Sequence, residues 1–135
     1  MGILIDTSVL IAAERGTYDI FTLFHAHQDE TIGIAAITAS ELLVGVHRSN
    51  PLTRARRSAY VEETLSRLVV VNFDLGIARL HAQLVADLMT QGLAAGVHDL
   101  QIGATALARD DRVATLDQRS FPLFKGLQLV DLHVS

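Results

Sequence analysis

The stretch Gly2-Ile3-Leu4-Ile5-Asp6-Thr7-Ser8 constrains the chain most, because three apolar residues end abruptly in a carboxylate followed by two hydroxyls. A short uninterrupted apolar run suits a strand of a parallel sheet covered on both faces. Thr7 and Ser8 then supply caps for a helix from about Val9 to Arg15, which Gly16 stops. In open α/β sheets, ligands bind beyond the carboxyl ends of the strands, which is where this reading puts Asp6. Taken alone, a helix-capping Asp is the simpler explanation.

The rest of the chain repeats the pattern. Tyr18 to His27 carries Ile20, Phe21, Leu23 and Phe24 at helical spacing, with His25 and His27 facing solvent. Thr31 to Ala36 is a second strand, leading into Thr38-Ala39-Ser40-Glu41 and a helix to about Arg48. Asn50-Pro51 breaks the chain, and Thr53 to Leu68 forms a long helix with Ala55, Ala59, Val61, Leu65 and Leu68 as the inward residues. Val69-Val70-Val71 reads as a third buried strand. Asp74 caps a helix from Leu75 to Gln91, closed by Gly92, and Leu100 to Arg109 is a small-residue helix with Asp99 in its first turn. Arg112 to Thr115 is a fourth strand, which Asp117 follows as Asp6 follows the first, and Leu127 to Val130 is a last edge strand. Strands alternating with helices over 135 residues predict one α/β domain, residues 1–135, built as a three-layer α/β/α sandwich with a mainly parallel central sheet.

Composition narrows the chemistry. With no cysteine, disulfides, thiolate metal sites and a Cys nucleophile are excluded, so any metal must bind through oxygen or imidazole. No apolar run approaches the ~20 residues of a membrane span, and the N-terminus lacks a basic region ahead of a long apolar stretch, so a cytoplasmic protein is expected. A net charge of -4 argues against coating nucleic acid nonspecifically. Ten of the eleven cationic residues are Arg, however, and Arg48, Arg54, Arg56, Arg57 and Arg67 fall in one segment. Arginine is well shaped for bidentate phosphate contacts; the plainer alternative is a solvated helix face paired with Glu62 and Glu63.

Asp6, Glu41, Asp99 and Asp117 each stand at a strand's carboxyl end or in a helix's first turn. Each alone is explained by capping or by the helix dipole, and Thr38 with Glu41 has the form of a capping box. If the four converge, their repulsion costs several kcal/mol unless a cation neutralises it, and oxygen ligands without Cys point to a hard divalent ion, Mg²⁺ or Mn²⁺. The six His residues show no zinc spacing, and His98, beside Asp99, reads as structural.

The constellation resembles the PIN-domain ribonucleases, and more closely the VapC toxins of bacterial toxin–antitoxin pairs. The resemblance covers essentially the whole chain and rests on Ile3-Leu4-Ile5-Asp6-Thr7-Ser8-Val9-Leu10-Ile11-Ala12, Ala39-Ser40-Glu41-Leu42-Leu43-Val44-Gly45-Val46, His98-Asp99-Leu100-Gln101-Ile102-Gly103-Ala104-Thr105-Ala106, and Val113-Ala114-Thr115-Leu116-Asp117 with Phe121. It implies that Asp6 and Asp99 are the principal metal ligands, that Glu41 and Asp117 complete a catalytic and metal-binding acidic cluster, and that Thr7, Ser8 and Thr115 support it. The resemblance thus favours a site role for Glu41 over the capping box. Many relatives carry another acidic residue where this chain has Ser120, which weakens the case for a second metal site.

The activity so implied is Mg²⁺-dependent hydrolysis of RNA by metal-activated water, leaving a 5′-phosphate and a 3′-hydroxyl, with Glu41 or Asp117 orienting or deprotonating the water. Such hydrolysis does not need the 2′-hydroxyl, so a preference for RNA must come from shape and binding. Arg48, Arg54, Arg56 and Arg57 are the candidates to hold the RNA backbone. By the same resemblance the chain homodimerises, is inhibited by a small VapB-type antitoxin that inserts a segment into the acidic groove, and attacks transfer or ribosomal RNA. A receiver domain would need an acidic pair near the first strand, and a dehalogenase-type phosphatase a second Asp where Ser8 stands. The serious rival is a noncatalytic PIN-like module that binds RNA or protein.

Overall fold

The computed structural model of the protein describes residues 2–132. Four strands, β1 (Gly2–Ile5), β2 (Thr31–Ala35), β3 (Val69–Val71) and β4 (Arg112–Ala114), form one sheet in the order β3-β2-β1-β4. Every pairing is parallel, with Leu4 opposite Gly33 on one side and Val113 on the other. Six helices connect them: α1 (Thr7–Glu14), α2 (Ile20–Ala26), α3 (Ala36–His47), α4 (Arg54–Arg67), α5 (Leu75–Thr90) and α6 (Val97–Arg109).

Alternation along β1 generates the layers, because successive side chains of a strand point to opposite faces. Leu4 joins a buried cluster with Ile77, Leu84 and Leu88 of α5 and Ile102 and Ala106 of α6. Ile3 and Ile5 join another with Val9 and Leu10 of α1 and Leu23 of α2, against which Leu65 and Leu68 at the end of α4 pack. The sheet is therefore covered on both sides, the three-layer α/β/α arrangement. Gly103 in α6 allows the closest approach, since a Cβ there would lie 2.6 Å from Cε2 of the Phe124 ring, and Phe124 in turn stacks edge-to-face on Phe121.

Several local expectations need correction. Thr7 and Ser8 lie inside α1 rather than ahead of it, and Asp6 is its N-cap residue without a capping side-chain bond. Helix α3 starts at Ala36, so Thr38 is buried within the helix and Glu41 stands in its second turn; no capping box forms. The β-branched run up to Thr38 concealed that start. In α4 the residues Ala55 and Ala59 are exposed, and the inward face runs through Arg57, Val61 and Leu65. β3 is not buried: Val69 is 47% and Val70 39% exposed, because β3 pairs only with β2 and forms the sheet's edge. The last strand shrinks to a single parallel bridge, Val113 to Leu129, although Val113 N still donates to Gln128 O and Val130 N to Val113 O.

Candidate active site

Strand order brings the acidic residues together. The chain runs from β1 outward through β2 to β3 and then crosses to β4 on the other side of β1, so the direction of winding reverses between β1 and β4, the place where open α/β sheets bind ligands. Asp6 lies just past the end of β1. Glu41 comes from the helix that follows β2 and Asp117 from the loop that follows β4, so β1's two neighbours bring them to either side of Asp6. Asp99 reaches the same end from the first turn of α6.

Hydroxyls tie these segments to one another. Asp6 is 4% exposed, and its Oδ2 accepts from Ser8 Oγ and from Thr115 Oγ1, each at 2.7 Å. Ser8 Oγ also accepts from Leu116 N at 3.1 Å, and Thr115 Oγ1 accepts from Asp117 N at 2.9 Å. The first bond stitches the loop after β4 onto α1, and the second tightens that loop on itself. On the other flank Thr7 Oγ1 donates to Glu41 Oε1 at 2.7 Å and lies 3.2 Å from the hydroxyl of buried Thr38. Ser120 faces Asp99 and accepts from Gly96 N at 3.3 Å. Gly96 fits because a Cβ there would meet Asp99 Oδ2 at 3.0 Å.

The electrostatics separate the four. Burial pushes the Asp99 carboxyl above its ordinary value; the Ser120 hydroxyl opposes that shift, and the charges of Asp6, Asp117 and Glu41 reinforce it. All three other carboxylates therefore lie close enough to repel Asp99. Asp117 goes the opposite way, held below the usual carboxylate range by hydrogen bonds from the Arg119 side chain and amide. His98 Nδ1 lies 3.1 Å from Glu41 Oε2. Among the described residues, Asp6 and Asp99 have no Lys, Arg or His within salt-bridge distance, whereas Glu41 and Asp117 each have one.

An oxygen-only, cation-free pair suits a hard divalent ion. Among the described residues no three His, Asp or Glu side chains already stand at the spacing of a complete metal site. Asp6 and Asp99 are the residues that would hold such an ion.

Of the arginines expected to bind RNA, Arg57 is tied to α1 away from the acidic cluster. Arg57 Nη2 pairs with Glu14 Oε1 at 2.8 Å, with its Nε buried and unpartnered and its guanidinium laid over Gly45. Glu14 ends α1, about 12 Å from Asp6 at the rise of an α-helix. Arg48 and Arg56 are exposed nearby, and Arg54 Nη2 donates to Ser49 O. Arg119, Thr38 and Ser120 touch the acidic cluster without having been assigned to it from sequence. For Arg119 the usable signal was a basic residue two positions beyond an Asp at a strand end.

Comparison with known proteins bears on what this site is for. Residues 3–126 match the PIN domain family. The chain belongs to that family. Within it, the chain groups with the VapC ribonucleases: it is 33% identical over 131 residues to Ribonuclease VapC1 of Rickettsia felis, covering 96% of each chain. It is 34% identical over 98 residues, 73% of each chain, to the tRNA(fMet)-specific endonuclease VapC of Salmonella typhimurium. The VapBC complex of Salmonella typhimurium, solved bound to DNA, contains a chain that superposes with a TM-score of 0.89 at 28% identity, over 98% of both chains. The four carboxylates of this PIN domain stand beyond the carboxyl ends of its strands.

Proposed function

We propose that this VapC-type PIN domain is the toxin of a type II toxin–antitoxin pair, a Mg²⁺-dependent endoribonuclease, with Mn²⁺ able to substitute, that cuts tRNA or rRNA and so inhibits translation and growth. The observation carrying this reading is that Ser8, Thr115 and Thr7 tie Asp6, Asp117 and Glu41 together beyond the end of β1, where Asp99 arrives from α6, with Asp6 and Asp99 having no protein cation among the described residues. When bound there, a divalent ion offsets phosphate charge, lowers the pKa of a water and stabilises the leaving oxygen. Asp6, held by Ser8 and Thr115, and Asp99, faced by Ser120, supply its ligands. Glu41, fixed by Thr7 and His98, is placed to orient the attacking water. Asp117 is the poorer proton acceptor, since Arg119 keeps its carboxyl low. The relative named a tRNA(fMet)-specific endonuclease supports tRNA as the first substrate to try.

The partner in this reading is a VapB-type antitoxin, bound to a homodimer in a heterotetramer or larger assembly. An apolar groove of about 340 Å³, lined by Leu10, Ile20, Phe21, Phe24, Tyr60 and Leu68, begins one turn along α1 from the acidic crevice and offers such a partner a seat. Arg48, Arg54 and Arg56 are proposed to hold RNA backbone farther out, while Arg57 holds α4 to α1.

The test is cleavage of tRNA and rRNA fragments by the purified chain with and without Mg²⁺, beside Asp6→Asn. Cleavage that needs the metal and disappears in a folded Asp6→Asn protein supports the enzyme. Equal degradation by both proteins would mean contamination and leave a noncatalytic binding module.

A further inference from the structure

The crevice that must receive an RNA phosphate is lined by four carboxylates, so a protein cation at its mouth would aid the divalent ion in attracting the substrate's negative charge. Arg57 is held on Glu14, about 12 Å along α1 from Asp6, and so does not do this at the scissile bond. Among the described residues, two basic side chains touch the cluster: His98 on Glu41 and Arg119 on Asp117. Only arginine carries its charge at every working pH.

Arg119 is held in place without being consumed there. Its amide donates to Asp117 Oδ1 at 3.0 Å, its Nε to the same oxygen at 3.2 Å and its Nη2 to Oδ2 at 3.4 Å. The loop that carries both residues is anchored on buried Asp6 through Thr115, so the guanidinium has a defined position at the mouth. It also lies close enough to Asp99 to feel that charge. Yet the Arg119 side chain is 90% exposed, and an ion pair so open to water is weak and exchanges partners readily. Its other N–H groups are free to point outward, and a guanidinium accepts phosphate oxygens in a bidentate fork.

We propose that Arg119 is the phosphate-contacting residue of this site: it waits on Asp117 and grips the RNA phosphate that enters the carboxylate crevice. It thereby draws substrate into a pocket of its own charge sign and, on leaving Asp117, frees that carboxylate to face the reaction. This rests on the ribonuclease reading above and names the substrate contact within it.

The experiment compares wild type, Arg119→Ala and Arg119→Lys. Binding of a fluorescent single-stranded RNA is followed by anisotropy in EDTA, so that no cleavage occurs, across a series of salt concentrations. Steady-state cleavage with Mg²⁺ then separates KM from kcat, and thermal melts confirm folding of these exposed-site variants. Arg119→Ala should bind about tenfold more weakly, and its slope of log affinity against log salt should shrink by about 0.7, the value of one phosphate contact on a single strand. Arg119→Lys should regain the slope but not the full affinity. If wild type binds and cuts RNA while Arg119→Ala matches it in affinity, slope and KM, Arg119 is only a surface ion pair and this inference falls alone. If wild type itself neither binds nor cuts RNA, the ribonuclease reading falls first.

Discussion

Thr115→Val probes the joint on which the crevice depends. The substitution keeps the shape of the side chain and removes one hydroxyl. That hydroxyl donates to Asp6 Oδ2 at 2.7 Å and accepts from Asp117 N at 2.9 Å, in a residue 3% exposed. A hydrogen bond to a carboxylate contributes about 1.5–3 kcal/mol, and an amide left without its acceptor costs about 1 kcal/mol or more. Ser8 keeps its own bond to the same oxygen, which limits relaxation of Asp6. The loss should therefore be about 3 kcal/mol, or roughly 10 °C in Tm for a chain of this size. Urea unfolding at neutral pH in EDTA, at fixed protein concentration, measures it. Repeating it in an Asp6→Asn background closes a double-mutant cycle. The amide oxygen of Asn still accepts a bond, though one about half as strong, so the coupling should be about 1 kcal/mol. A coupling indistinguishable from zero would show that Thr115 and Asp6 do not meet, and the route joining β1 to the loop after β4 would be wrong.

Other outcomes follow from the same geometry. Asp99 has its carboxyl raised chiefly by burial and then by its acidic neighbours, so the native state binds this proton more tightly than the unfolded chain and ionising Asp99 costs stability as pH rises above 3.8 through the raised native value. Asp99→Asn should therefore stabilise the metal-free protein at neutral pH, with the gain fading toward pH 3.8; melts across pH that show a constant gain, or one growing in acid, would contradict this. Phe21, 66% exposed on the apolar groove, should when changed to Glu weaken capture of a VapB-type antitoxin at least tenfold and leave RNA cleavage by the isolated chain intact; unchanged capture removes the groove as its seat. Replacing Arg48, Arg54 and Arg56 together with Ala should reduce the salt dependence of RNA binding by about two units of slope if all three hold phosphates, and an unchanged slope takes them off the RNA surface.

Local chemistry made much of this protein legible in one dimension. An apolar run ending in Asp6 identifies a buried strand and the end at which function collects. Asp74 caps α5 as its sequence position implies, its side chain accepting from Ile77 N, and Gly92 takes the positive φ that ends that helix. Such features depend on neighbours a few residues away. The four carboxylates could likewise be nominated one by one, because each stands at the boundary of an element, and the alternation of strands and helices was enough to name the layers.

What only tertiary structure decided involves partners distant in sequence. Whether Glu41 serves a capping box or a site depended on where α3 begins, and Thr7, on another helix, claims the glutamate instead. Arg57 looked like one of a solvated run until α4 was packed, when Glu14 and Gly45 fixed it between helices. Val69 and Val70 carry a buried strand's composition, but the sheet's order puts them on its edge. Propensity and capping are settled within a turn of helix or a few residues of strand. Charge repulsion, burial and shared hydroxyls depend on distances that exist only once β1 lies between β2 and β4.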